Sequence, residues 1–172
     1  MAKQEFTICE AGLEDAQALA ATLAQVLSET DFLAQDDASA MTVEEVAQFI
    51  DNRQNSLNEI CLLAKIGSDV AGLLNISAQK NFAFEHIGDI FLAVKKDYWN
   101  YGIGQILLQE AVDWAEHSGV IRRLELTVQK RNSRAVHVYE NAGFVIEGVK
   151  ERGIKTRDGE FLDVYAMSKL IN

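Results

Sequence analysis

One segment, residues 89–114, constrains the fold most, because a strand, a glycine turn and a helix follow one another in it. Residues 90–94 form a short apolar run that is typical of a buried strand. After the turn, apolar residues recur at helical spacing: Ile103, Ile106, Leu107, Ala111 and Trp114. A glycine turn that opens a helix gathers free backbone N–H groups at the positive end of the helix dipole, an arrangement that binds phosphate. The segment therefore predicts a strand–helix–strand unit with at least one parallel pairing and an anion site at its turn.

The rest of the chain surrounds this unit with further strands and helices, in the predicted order β-α-α-β-β-β-α-β-α-β-β. Strands are expected near residues 6–9, 59–66, 70–78, 87–94, 123–129, 144–155 and 160–170. Helices are expected at residues 12–29, after a capping box at Thr42–Glu45, from the glycine turn to Gly119, and from Asn132 or Ser133 to Gly143. This order predicts a mixed α/β domain with a twisted central sheet of about six or seven strands and about four helices.

Composition and charge narrow the class of protein. The chain has 172 residues, 48% of them apolar, so a single domain over residues 1–172 is expected. No apolar run is long enough to span a bilayer and no signal peptide is visible, and two cysteines that suit buried free thiols favour the cytoplasm. The net charge is −10, and residues 1–90 hold 15 Asp and Glu against 4 Lys and Arg, which argues against nucleic-acid binding.

Two common phosphate-binding motifs do not fit the glycine turn. A dinucleotide fingerprint needs a third small residue at position 107, which is Leu107, and no Gly-Lys-Ser/Thr follows the turn as in a P-loop. The three histidines, His86, His117 and His137, are scattered without metal-ligand spacing, so no metal is predicted. Five basic residues do lie beside the turn or beside the start of the last helix: Lys95, Lys96, Lys130, Arg131 and Arg134.

A second constellation begins at Asn132, which is suited to cap a helix. Tyr139 lies two turns along this helix. A core aromatic is the plainer interpretation of Tyr139, but a buried tyrosine hydroxyl needs a partner and, at a cleft, can donate a proton.

Together, these motifs resemble the Gcn5-related N-acetyltransferases. The resemblance rests on Trp99-x-x-Gly102-Ile103-Gly104 and Asn132-x-x-Ala135-x-x-x-Tyr139-x-x-x-Gly143-Phe144. The ending is similar to the branch that contains ribosomal-protein N-terminal acetyltransferases and their small-molecule relatives, through Glu147-Gly148 and Asp158-Gly159-x-Phe161-x-Asp163-x-Tyr165-x-Met167. The family usually has Gln or Arg where this chain has Trp99. Indole is uncharged and cannot form a salt bridge with a phosphate, so backbone N–H groups and nearby Lys or Arg would have to hold the pyrophosphate.

The resemblance implies an acetyl-CoA-dependent N-acetyltransferase, with the coenzyme inserted between parallel strands that end at Val94 and Val128. Residues 1–84 would supply acceptor-side elements and the first strands, residues 85–144 the acetyl-CoA core, and residues 145–172 the last hairpin. Tyr139 would face the sulfur. The other implied coenzyme-binding residues are Leu92, Ala93, Val94, Trp99, Asn100, Tyr101, Gly102, Ile103, Gly104, Gln105, Asn132 and Arg134.

Direct transfer needs a base for the acceptor amine, since an ammonium has no lone pair. Asp89 is the first candidate and Glu85 the second, and a bridging water is an equal alternative. The acidic residues Asp31, Asp36 and Asp37 favour a cationic acceptor, such as a polyamine, another amino compound or a basic protein N-terminus. The alternatives are a non-catalytic acetyl-CoA sensor and a different acyl donor. The resemblance also allows a homodimer.

Overall fold

In the computed structural model, which describes residues 5–33 and 41–172, the elements follow the predicted order. The strands are β1 (Thr7–Glu10), β2 (Ile60–Ile66), β3 (Asp69–Ser77), β4 (Ile87–Val94), β5 (Arg123–Gln129), β6 (Val145–Lys155) and β7 (Phe161–Leu170). The helices are α1 (Ala16–Glu29), α2 (Val43–Gln54), α3 (Ile103–His117) and α4 (Ser133–Asn141). The predicted capping box starts α2, since the Glu45 N–H donates to Thr42 Oγ1 at 3.2 Å and the Thr42 N–H donates to Glu45 Oε2 at 2.7 Å.

All seven strands join one sheet in the order β1-β2-β3-β4-β5-β7-β6. Neighbouring strands are antiparallel except β4 and β5, which form the predicted parallel pair. That pair is short, because it matches only residues 87–89 of β4 with residues 123–125 of β5. Beyond Asp89 and Glu125 the two strands no longer pair, so the sheet opens between them.

Helices cover the sheet on both faces, and each face has its own buried core. On one face, α3 and α4 pack over residues such as Ile90, Leu124 and Met167. On the other face, α1 and α2 pack over residues such as Leu63 and Leu73. In β4, Ile90, Leu92 and Val94 belong to the α3 face, while Phe91 and Ala93 belong to the α1 face. Side chains alternate along a strand, so Asp89 lies on the α1 face.

Candidate active site

A cavity of about 700 Å³ opens where β4 and β5 diverge, and we call it the β4–β5 cavity. It lies between the end of β4, the glycine turn and the start of α4. Its lining residues are Thr30, Phe32, Leu33, Leu92, Ala93, Val94, Tyr98, Trp99, Asn100, Gly102, Ile103, Gly104, Gln105, Arg131, Asn132, Ser133, Arg134, Ala135, Val138 and Tyr139. Every predicted coenzyme-binding residue therefore lines this cavity except Tyr101, whose side chain is exposed.

The backbone at the end of β4 offers hydrogen-bonding groups to this cavity. The Lys95 N–H donates to the Ala71 carbonyl of β3 at 2.9 Å, so backbone groups of odd-numbered residues here point toward β3. By strand alternation, the backbone groups of Leu92 and Val94 point the other way, toward the gap that β5 has left. Trp99 Nε1 donates to the Val94 carbonyl at 2.8 Å and so occupies one of them. The rest can pair with an extended, amide-bearing ligand as with an added strand.

The glycine turn presents free N–H groups at the start of α3. Asn100 and Gly102 both have positive φ, 69° and 77°, and no side chain caps the helix at Gly102. The first helical hydrogen bond runs from the Ile106 N–H to the Gly102 carbonyl at 3.1 Å, so the N–H groups before Ile106 have no partner within the helix. Such N–H groups and the helix dipole are suited to an anion, which is the kind of ligand predicted for this turn.

The glycine at position 104 is not required by packing within the protein. A Cβ built there would lie 3.8 Å from Leu92 Cδ2 and 3.9 Å from Val94 Cγ2, which are ordinary contacts. The protein alone therefore has room for a methyl group at this point of the cavity wall. A glycine that leaves this space open suits a ligand that approaches the backbone closely.

Of the five basic residues near the two turns, Arg131 and Arg134 line the cavity. The Arg134 guanidinium carbon lies 5.4 Å from the centroid of the Trp99 ring, which joins the turn to α4 by a cation–π contact. Lys95 departs from the predicted grouping. Its Nζ lies 2.7 Å from Asp69 Oδ1 and its side chain is buried, so it is engaged outside the cavity.

At the start of α4, Asn132 Oδ1 accepts from the Ala135 N–H at 3.2 Å, which confirms the predicted cap. Tyr139, two turns later, is 8% exposed, and its ring lies 6.0 Å from that of Phe144. Among the described residues no group hydrogen-bonds its hydroxyl, and burial raises the pKa of this phenol to about 12. A buried hydroxyl without a partner is costly. Its position on the cavity wall makes a bound ligand the natural partner.

The two candidate bases lie outside the cavity lining. Glu85 precedes β4 in a turn, where its N–H donates to the Asn81 carbonyl at 2.8 Å. Asp89 occupies the last paired position of β4, opposite Glu125, and its side chain remains open to solvent. Desolvation by the surrounding sheet, the larger cause, and the Glu125 carboxylate raise the pKa of Asp89, while Lys150 opposes them.

Sequence reasoning missed a polar network beside Asp89 and part of the cavity wall. Arg123 joins Glu125 and Glu147 by ion pairs, and Phe32 and Leu33 of the acidic loop line the cavity. Alternation along β5 could have placed Glu125 on the Asp89 face, but no local signal identifies Glu147 as a partner of Arg123. Within residues 5–33 and 41–172, no cluster of His, Cys, Asp or Glu could hold a metal ion, and no helix there is long and apolar enough to cross a membrane.

Comparison with known proteins places the chain in a family. Residues 25–144 match the model of the acetyltransferase (GNAT) family. The chain is 33% identical over 109 residues to the L-amino acid N-acetyltransferase AaaT of Escherichia coli, covering 63% of this chain and 67% of the relative. It is also 35% identical over 68 residues to the [ribosomal protein bS18]-alanine N-acetyltransferase of Escherichia coli, covering 40% of this chain and 45% of that relative's length.

Solved structures agree with this assignment. A GNAT-family acetyltransferase from Streptococcus pneumoniae is 48% identical, with a TM-score of 0.94 over 97% of this chain and all of its own. The yncA protein of Salmonella typhimurium, solved with its cofactor acetyl-CoA, shares the fold, with a TM-score of 0.86 at 18% identity over 98% of this chain and 95% of its own. These matches confirm the predicted family, fold class and acetyl-CoA-dependent N-acetyl transfer to an amine. The chain belongs to the acetyltransferase (GNAT) family.

Proposed function

We propose that the β4–β5 cavity is the acetyl-CoA site of this N-acetyltransferase and that the acceptor amine attacks the thioester directly. The observation that carries the proposal is the buried, unpartnered Tyr139 hydroxyl on the same cavity as the uncapped start of α3. The backbone groups of Leu92 and the N–H of Val94 suit the amides of the pantetheine arm, and the N–H groups at the start of α3 suit the pyrophosphate of the coenzyme. Bound acetyl-CoA supplies an activated acyl group, so the protein needs no covalent nucleophile.

Two side chains act on the reacting groups in this proposal, Asp89 as a base and Tyr139 as a hydrogen-bond donor. Asp89, directly or through one water, takes the proton of the acceptor ammonium. Tyr139 donates a hydrogen bond to the sulfur that leaves. Its pKa of about 12 keeps it neutral at any working pH, whereas a thiol of pKa about 8.5 holds its proton less tightly. Tyr139 therefore stabilises the departing thiolate by a hydrogen bond, and solvent supplies the proton that completes the thiol.

For the acceptor, we propose an α-amino acid, because charges of both signs border the cavity. Leu33 lines the β4–β5 cavity and also a smaller cleft that Asp31, Lys155 and Arg157 border. Arg131, on the wall of the cavity itself, is held by a bond from its Nε to Gln129 Oε1 at 2.9 Å. An α-amino acid carries an ammonium and a carboxylate, which can pair with the acidic and basic side chains that border the cavity. The relative AaaT is named an L-amino acid N-acetyltransferase, which supports this class of acceptor.

The prediction of a cationic acceptor depends on three acidic residues. Asp31 borders the site, but Asp36 and Asp37 lie outside the described residues. A cationic acceptor therefore remains the competing hypothesis, to be decided by the same experiment as the amino acid.

The test is release of free CoA from acetyl-CoA with matched acceptors: L-amino acids, the corresponding L-amino acid amides, spermidine, and a peptide with an N-terminal alanine. We expect L-amino acids to turn over better than their amides, and Arg131→Gln to remove that preference by raising KM for the acids alone. Faster turnover of spermidine or of the amides would refute the amino-acid acceptor. Tight acetyl-CoA binding without turnover of any acceptor would instead support the sensor alternative.

A further inference from the structure

A row of polar side chains crosses the α1 face of the sheet at the closed end of the β4–β5 opening. Asp89 of β4 is the direct partner of Glu125 in the parallel pair, and Glu125 is in turn opposite Ser168 of β7. On the other side of Asp89, its partner in β3 is Ser77. Because paired residues project from the same face, the carboxylates of Asp89 and Glu125 are immediate neighbours.

Glu125 is held in place by Arg123, two residues earlier on the same strand. Arg123 Nε donates to Glu125 Oε2 at 2.8 Å, and both terminal nitrogens of the guanidinium donate to Glu147 of β6. The bidentate fork thus goes to Glu147, and Glu125 receives a single bond that fixes its orientation. Asp89 forms no ion pair with any described residue.

We infer that Glu125 is a positioning residue for acetyl transfer: fixed by Arg123, it places a negative charge beside Asp89 and makes Asp89 a stronger base. The inference rests on the proposed role of Asp89 as the proton acceptor. In that step the acceptor N–H bond breaks and its proton passes to the Asp89 carboxylate. The freed lone pair forms the N–C bond to the carbonyl carbon, and the C–S bond breaks with its electrons on sulfur. The nitrogen then gives its second excess proton to solvent, and solvent protonates the thiolate and later takes the first proton from Asp89.

The charged groups on this face act on Asp89 with opposite signs. From β5, the Glu125 carboxylate favours the protonated form of Asp89, because two neighbouring carboxylates resist both being ionised. From β6, Lys150 favours the ionised form. Arg123 and Glu147 largely compensate each other through their ion pair, and the flanking groups on β3 and β7 are the uncharged Ser77 and Ser168.

The experiment follows the titration of the Asp89 carboxyl directly by carbon NMR, and Asp89→Asn identifies its resonance. Because Glu125 and Lys150 act on Asp89 in opposite directions, removing each charge should shift this titration in opposite directions. Glu125→Gln keeps a hydrogen-bond acceptor for Arg123 but removes the negative charge, so the midpoint of the Asp89 titration should move to lower pH. Lys150→Gln should move it to higher pH. Glu110→Gln, on the exposed side of α3, removes a distant negative charge and should leave it unchanged.

The same variants are compared in kcat/KM against pH, with acetyl-CoA and the L-amino acid that turns over fastest. With Glu125→Gln we expect the acid limb to move to lower pH and the plateau to fall by roughly two- to tenfold, as for a weaker base. The acceptor amine is the same in every assay, so a shift of the acid limb reports a change in an ionisable group of the enzyme. Merely structural damage would lower the plateau and leave the limb in place.

The outcomes separate this inference from the proposed function. If Asp89→Asn abolishes turnover but Glu125→Gln leaves the Asp89 midpoint unmoved, the role of Glu125 is refuted and the base remains. If Asp89→Asn is fully active, the base assignment fails and the inference fails with it. Shifts of opposite sign for Glu125→Gln and Lys150→Gln, together with an inactive Asp89→Asn, establish both.

Discussion

The Tyr139 hydroxyl provides the sharpest test of the active site, because Tyr139→Phe should lower the rate and leave the fold intact. The hydroxyl is buried and unpartnered among the described residues, so its removal breaks no hydrogen bond that the protein itself makes. In the reaction it would donate to a sulfur that becomes negatively charged. A hydrogen bond to a charged group contributes about 1.5–3 kcal/mol. That range corresponds to a fall in kcat of about 10- to 150-fold.

The assay measures kcat by CoA release, acetyl-CoA affinity by calorimetry, and the free energy of unfolding by denaturant. We expect the fall in kcat, an acetyl-CoA affinity close to that of the unmodified protein, and a stability that is unchanged or higher, since an unsatisfied buried hydroxyl has been removed. Tyr165→Phe is the matched control, because Tyr165 lies on β7 outside the cavity lining. An unchanged kcat would remove Tyr139 from the mechanism. A loss of stability above about 1 kcal/mol would show that the hydroxyl has a partner within the protein.

Two further predictions concern the phosphate turn and the buried thiol. Gly104→Glu should abolish acetyl-CoA binding by placing a negative charge at the phosphate site, whereas Gly104→Ala, which the protein accommodates, should fold normally and bind more weakly. Normal affinity of the Glu variant by calorimetry would refute the phosphate assignment. Burial raises the pKa of Cys61 from 9.0 to about 12, so the unfolded chain loses this proton first as pH rises above 9. This contribution to stability is then full well below pH 9 and falls by roughly 1 kcal/mol by pH 10, and Cys61→Ala should remove that part of the fall in denaturant melts. Identical slopes for the two proteins would contradict the shifted thiol.

The strands and helices that follow from local patterns were predictable. The bounds of β4 and β5 agree with the predicted strands, because apolar residues and their alternation define both segments. The start of α4 follows from the Asn132 cap, and the parallel pairing of β4 with β5 follows from the helix between them. The part of the cavity wall that residues 99–105 form, apart from Tyr101, was predictable for the same reason, since a glycine turn and a helix start are local features.

Features that depend on contacts distant in the sequence were not predictable. Lys95 adjoins the turn in sequence, but its ammonium pairs with Asp69, which lies 26 residues earlier on another strand. The ion pair of Arg123 with Glu147 likewise joins residues 24 apart and depends on the register of three strands. The point at which β4 and β5 separate has no local signal either, because both strands continue past it with the same alternation.

That point of separation relates the proposed base, Asp89, to the proposed hydrogen-bond donor, Tyr139. Beyond Asp89 the backbone of β4 is released from β5 and becomes available to a ligand, while the last paired residues hold the two neighbouring carboxylates. Leu92 is the third residue after Asp89, about 10 Å further along the strand, so an acceptor or a water would have to bridge from the Asp89 carboxylate to a thioester bound beside Leu92. Tyr139 belongs to the core on the α3 face of the sheet, whereas Asp89 projects from the α1 face. If both residues act as proposed, the acceptor enters from the α1 face and loses its proton there, and the sulfur leaves toward the α3 face. Asp89 and Tyr139 then lie on opposite faces of the sheet, where the carboxylate cannot accept a hydrogen bond from the tyrosine hydroxyl.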